Sequence, residues 1–164
     1  MSTEVPTAIK LEFPSGARVG VIAARFNSAI VDELLSGCIR RLTELGLDAG
    51  RFDVYRVPGA FELPVTAQEL AKSGRVAAVI CLGCVVRGDT PHFDYVAGEA
   101  ARGITQAALN TGIPIIFGVL TTNTEEQARD RAGGKHGHAG ERAADAAAEM
   151  VGVLEGMRAP IERS

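Results

Sequence analysis

Four short apolar runs, at residues 18–25, 52–57, 76–86 and 114–120, alternate along the chain with stretches that carry helical periodicity. Repeated strand–helix alternation leaves essentially one arrangement, a parallel sheet with helices over both faces. Parallel strands need a crossover connection, and the crossover helix packs back on the sheet. The 76–86 run is apolar at successive positions, so both of its sides are expected to be buried, as in a central parallel strand. It contains Gly83 and falls far short of the ~20 residues that span a bilayer.

The stretches between the runs read as helices. Ile30, Val31, Leu34, Leu35, Cys38, Ile39, Leu42 and Leu45 recur at three- and four-residue steps and form one stripe, which Gly46 ends. Asn27 or Ser28 is expected to cap that helix by accepting a bond from its first free N–H groups. Pro58-Gly59 stops the second strand, and 60–73 reads as a helix with Pro64 harmlessly in its first turn. Further helices are expected over 93–110, closed by Thr111-Gly112, over 124–132, and from 141 to about 157. Residues 133–140 read as a glycine- and histidine-rich break. The expected organisation is an N-terminal arm at 1–17, one domain at 18–158 and a tail at 159–164. The tail is expected to fray from Arg158, and the first ~10 residues to be loose or to pair with another edge.

Composition narrows the function classes. At 164 residues the chain fits one domain. With 5% aromatics and no Trp, its core must be aliphatic. A net charge of −3 argues against a nucleic-acid partner held by a basic face. Residues 1–14 carry Glu4, Lys10 and Glu12 and no apolar stretch of the signal-sequence kind, so a soluble, cytoplasmic protein without a membrane partner is expected. Three cysteines do not make a disulfide scaffold. Cys81 and Cys84 are spaced like a redox pair but lie inside a buried strand run, where side chains three apart face opposite ways. They read as core. His136 and His138, near Lys135, read as a solvated loop rather than a metal tract.

Sheets of this kind bind ligands beyond the carboxyl ends of their strands, and the unusual residues gather there. They are Phe26-Asn27, then Ala60-Phe61-Glu62, then Arg87-Gly88-Asp89-Thr90-Pro91-His92, and then Thr121-Thr122-Asn123. The third group leads into a helix N-terminus, where free N–H groups and the helix dipole suit a phosphate or carboxylate. It equally fits a plain turn with a Thr cap. Asp89 would repel a bound anion, so its side chain is expected to point away. His92 is the general acid–base candidate because imidazole titrates near neutrality. Glu62 fits either a ligand contact or a first-turn carboxylate that complements the helix dipole. Arg131 fits either a fixed charge for a phosphate or a surface cation.

Four stretches then carry a resemblance. They are Arg25-Phe26-Asn27, then residues 57–62 (VPGAFE), then residues 86–95 (VRGDTPHFDY), and finally residues 117–122 (FGVLTT) leading to Asp130-Arg131-Ala132-Gly133. In order and spacing the chain resembles the 6,7-dimethyl-8-ribityllumazine synthases of riboflavin biosynthesis. The resemblance implies a flavodoxin-like, three-layer α/β/α sandwich on a four-stranded parallel sheet. It also implies a transferase that condenses 5-amino-6-(D-ribitylamino)uracil with 3,4-dihydroxy-2-butanone 4-phosphate, releasing phosphate and water, with no cofactor and no metal. By position, Phe26 would stack on the pyrimidine, while Ala60, Phe61, Glu62, Cys84, Val85 and Val86 would hold its polar edge and ribityl chain. Phe117 would reach in from an adjacent subunit. Asp89, Thr90 and Arg131 would bind the butanone phosphate, and His92 would move protons. Homopentameric rings with shared sites are implied, either standing alone or built into an icosahedral shell of sixty subunits.

One position departs from the family pattern. Where a Gly-Asn-Lys-Gly stretch is common, this chain has Gly137-His138-Ala139-Gly140, and Ala139 carries no charge. Lys135, His138 and Arg142 are the nearby cations that could stand in. Two alternatives share the same fold. One is a non-catalytic lumazine- or flavin-binding carrier, which would have no use for both His92 and Arg131. The other is a shell protein with decayed catalysis, for which Ala139 is the motive. The long helix also carries Val96, Ala97, Ala100, Ala101, Ile104, Ala107 and Ala108, a small-residue stripe expected to face a neighbouring subunit or its own sheet.

Overall fold

A computed structural model describes residues 10–162. Its elements run β1 (Val19–Ala24), α1 (Ser28–Glu44), β2 (Phe52–Val57), α2 (Leu63–Lys72), β3 (Ala78–Val86), α3 (His92–Thr111) and β4 (Ile115–Thr122). There follow α4 (Glu125–Asp130), β5 (Ala132–Gly134), β6 (Gly137–His138) and α5 (Ala139–Arg158). The four long strands form one parallel sheet in the order β2-β1-β3-β4. The expected sandwich is present, and among the described residues no helix is long and apolar enough to cross a membrane.

The two-residue period of the central strands sorts side chains into two cores. Val19, Val21 and Ala23 of β1, with Ala78, Ile80, Leu82 and Cys84 of β3, face the layer of α1 and α5. Ile22 and Ala24, with Val79 and Cys81, face the layer of α2 and α3. Cys81 and Cys84 therefore lie on opposite sides of the sheet, as core thiols rather than a redox pair. Burial pushes Cys81 up to about 12 and Cys84 to about 11, the latter helped by the nearby Glu125 carboxylate, so neither is a thiolate at neutral pH. Of the α3 stripe, Ala100, Ile104 and Ala107 are buried in the second core, with Val96 and Ala108 packed against it.

Several local expectations are corrected. Asn27 does not cap α1 with its side chain. It sits at φ 58°, the only left-handed non-glycine among the described residues, and its main-chain carbonyl accepts from Ile30 and Val31. Its amide Nδ2 instead donates to the Cys84 carbonyl at 2.8 Å. The 60–73 segment opens as a 3-10 turn over Ala60–Glu62 before α2, with Pro64 in the first turn of α2 as expected. β4 runs on to Thr122, and α4 is trimmed because Thr124 caps it and Ala132 passes into β5.

The 133–140 break is an antiparallel hairpin. His138 is not solvated loop. Its Nδ1 accepts from the N–H groups of Gly140 and Glu141 at 3.1 and 3.4 Å, which starts α5 two residues early, and its ring fills the space beside Gly37. Gly140 in turn lets α5 close on α1, since a Cβ there would run into the Leu34 carbonyl. Arg158 does not fray: its guanidinium donates to the Gly112 carbonyl at 2.7 Å. The inner part of the arm is likewise fastened, with Phe13 buried and Arg51 donating to the carbonyls of Pro14 and Ala17. The expectation for the first residues of the arm lies outside the described residues.

Candidate active site

The strand order reverses between β1 and β3, and there the two strands part. Their pairing ends at Ala23 and Leu82, whereas β3 continues to Val86. β1 is drawn towards β2 instead, through Arg25 N–H to the Val57 carbonyl and Phe26 N–H to the Pro58 carbonyl. The stretch of β3 from Gly83 to Val86 consequently lines a crevice, bridged near its root by the Asn27 amide on Cys84. Ligands of doubly wound sheets sit at such reversal points.

A cavity of about 660 Å³ fills this crevice. That is within the usual range for a small-molecule site. One wall holds Phe26 with Ala60, Phe61 and Glu62. The floor is Cys84, Val85 and Val86, and the far wall is Gly88, Thr90, His92 and the first turn of α3. Phe26 and Phe61 are 71% and 58% exposed in the isolated chain, so two aromatic faces stand open to a flat ligand. Glu62 belongs both to the turn before α2 and to the cavity lining. One carboxylate oxygen accepts from the Gly59 N–H at 3.1 Å and fixes the turn, and the carboxylate as a whole lines the cavity.

The far wall starts a helix at His92. Thr90 Oγ1 accepts from the His92 N–H at 3.4 Å, and the His92 side chain is exposed at the cavity. Asp89 is exposed and does not line it, as its charge suggested. Two other sequence candidates lie elsewhere. Arg131, at the end of α4, donates to the Gln127 carbonyl at 2.9 Å, and Phe117 is 43% exposed on the outer strand β4; neither lines the cavity of its own chain. Of the cations that could stand in near Ala139, His138 is occupied in capping α5, Arg142 donates to the His136 carbonyl at 3.4 Å, and Lys135 is exposed.

Four residues here had no site role of their own assigned from the sequence. Phe93, Tyr95 and Val96 line the cavity from α3, and Asn27 ties its two strands together. Phe93 and Tyr95 fell within the quoted 86–95 motif and Asn27 within Arg25-Phe26-Asn27, whereas Val96 lies one residue beyond the motif.

Residues 16–155 match the family model of 6,7-dimethyl-8-ribityllumazine synthase. A 6,7-dimethyl-8-ribityllumazine synthase of Syntrophus aciditrophicus (strain SB) is 54% identical over 139 residues, covering 85% of this chain and 90% of the relative. One from Desulfatibacillum aliphaticivorans is 51% identical over 140 residues, with the same coverage of each chain. The chain belongs to this family. All four stretches that carried the resemblance fall inside the matched region, and three of them meet at the cavity. The lumazine synthase match thus reaches the cavity walls as well as the sheet beneath them.

Proposed function

We propose that the cavity between β1 and β3 condenses 5-amino-6-(D-ribitylamino)uracil with 3,4-dihydroxy-2-butanone 4-phosphate to 6,7-dimethyl-8-ribityllumazine, releasing phosphate and water. The observation that carries this reading is the joint presence, in one crevice, of two open aromatic faces, a carboxylate, a strand end free on its β1 side and a helix N-terminus. Phe26 stacks on the pyrimidine. Phe61, Glu62 and the main chain of Cys84, Val85 and Val86 take its polar edge and ribityl chain, with Ala60 leaving room beside them. Thr90, with the N–H groups around Gly88 and Asp89, receives the phosphate at the positive end of α3. His92 carries protons for imine formation, phosphate loss and ring closure. Holding two substrates in one crevice supplies much of the remaining acceleration.

Phe117 and Arg131 are assigned to the cavity of a neighbouring copy. Phe117 is exposed, Arg131 is half-buried, and both lie off their own cavity, as a cyclic ring with one repeated head-to-tail interface requires. The assembly is a homopentamer, able to build an icosahedral shell, in the cytoplasm. Lumazine formation by the purified chain, followed by absorbance with both substrates, tests the reaction. His92→Ala is expected to slow turnover within the roughly 10²–10⁴-fold range of acid–base help, with pyrimidine binding intact. Unchanged single-turnover rates in that variant would remove His92 from the mechanism.

A further inference from the structure

We propose that Arg87 is a positioning residue that holds the two phosphate-handling parts of the chain in fixed relation. One is the first turn of α3, which follows the Gly88–Thr90 turn of its own cavity, and the other is Arg131. The inference rests on the site assignment above and adds to it a residue outside the cavity lining.

Arg87 is the first residue after β3, and its N–H is anchored to the Thr122 carbonyl at 2.8 Å. From there its side chain makes three contacts at once. The guanidinium lies 4.3 Å from the centre of the Phe93 ring, a wall of the cavity. Its Nη1 donates to Asp94 Oδ1 at 3.4 Å, on the first turn of α3. Its Nε donates to Asn123 Oδ1 at 3.0 Å, on the turn after β4.

The line continues from Asn123. The Asn123 N–H donates to Gln127 Oε1 at 2.9 Å, and the Gln127 carbonyl accepts from Arg131 Nη1 at 2.9 Å. Gln127 is itself held by the Thr124 cap, whose Oγ1 accepts its N–H at 3.1 Å. Phe93 and Arg131 are thus joined through Arg87, Asn123 and Gln127, with no gap wider than a hydrogen bond or a ring stack. These groups are solvent-exposed, so each bond adds little to folding stability. What they fix is direction. A planar fork stacked on a ring and bonded on two edges has one orientation, which a flexible ammonium cannot reproduce.

The chemistry served is recognition of the phosphorylated ketone, because the line runs from the first turn of α3, at whose positive end the phosphate is assigned, to Arg131. The pyrimidine is held at the other wall. Arg87→Ala and Asn123→Ala are expected to raise the KM for the butanone phosphate roughly three- to tenfold, the effect of losing one or two bonds of this kind. The KM for the pyrimidine should change less than about twofold, and the double variant should be no worse than Arg87→Ala. Asn123→Asp keeps the acceptor and should restore the parent value, whereas Arg87→Lys, which keeps only the charge, should not. Melting curves check folding. Should Arg87→Ala fail to fold, the exposed Asn123→Ala carries the test. A parental KM in Asn123→Ala, full rescue by Arg87→Lys, or a joint rise of both KM values overturns the assignment. Arg131→Ala run alongside separates the two levels: an unchanged KM for the butanone phosphate would overturn the site reading, and the Arg131 end of the line with it.

Discussion

Replacing Phe26 by alanine should separate binding from folding. The ring is 71% exposed in the chain. An aromatic side chain offers about 200 Å² for burial, so less than a third of it, near 60 Å², is covered. At about 25 cal/mol per Å², the fold loses roughly 1.5 kcal/mol, a fall in melting temperature of roughly 3–6 °C for a domain of this size. The loss to the ligand is larger in relative terms. Stacking of a base-like ring on an aromatic face contributes ~1–3 kcal/mol, which weakens binding by between about fivefold and 150-fold. Phe61 survives in the same cavity and moderates the loss, so a dissociation constant raised about ten- to thirtyfold for the ribitylamino-pyrimidine is expected. Titration calorimetry with the pyrimidine and a melting curve on the same sample measure both quantities. Phe26→Tyr should recover the affinity. A large fall in melting temperature with unchanged affinity would show that Phe26 serves the fold and that the open ring has no ligand.

Two further outcomes follow from the packing. Gly140→Ala should destabilise by about 1–3 kcal/mol, because its Cβ meets the Leu34 carbonyl; Gly152→Ala in the same helix, with nothing within 4 Å, should stabilise by about 0.5–1 kcal/mol. Chemical denaturation gives both, and equal signs would contradict the close approach of α1 and α5. Cys38, Cys81 and Cys84 are pushed by burial to about 12, 12 and 11. An unfolded thiol ionises near ~8.5, so the folded chain binds more protons above that value and their stabilisation is lost as pH rises from there towards 12. A thiol reagent at pH 8 should label none of the three until denaturant is added, and prompt labelling of the native chain would refute their burial.

Periodicity carried the fold because the central strands β1 and β3 are apolar on both sides and the helices on one. That contrast survives without knowledge of any contact. What periodicity did not carry was the hairpin at β5 and β6, where three glycines and a histidine have no apolar rhythm. His138 read as loop because its two bonds are to N–H groups of a helix that the sequence places two residues later. Asn27 was legible as a helix-start residue, but its left-handed backbone turns the side chain to β3, which only the parted strands make reachable. At the site, Phe26, Phe61, Glu62, Thr90 and His92 were legible from their place after strands. Arg87 was named in its group but given no role, because its partner Asn123 is returned to it only by the α3 crossover and β4.

The shared site is tested most directly by mixing two inactive chains. His92→Ala disables a cavity and Arg131→Ala disables the contribution to a neighbour, so neither alone forms a complete site. The two proteins would be unfolded together in equal amounts, refolded, and assayed for lumazine formation at the concentration where the parent is assembled. In a head-to-tail ring with random incorporation, a site is whole when its cavity comes from the Arg131→Ala chain and its arginine from the His92→Ala chain. That happens at about one interface in four, so roughly a quarter of the parent's activity should return. Activity that stays at the sum of the two single variants would place Arg131 with its own cavity, and the site would not be shared.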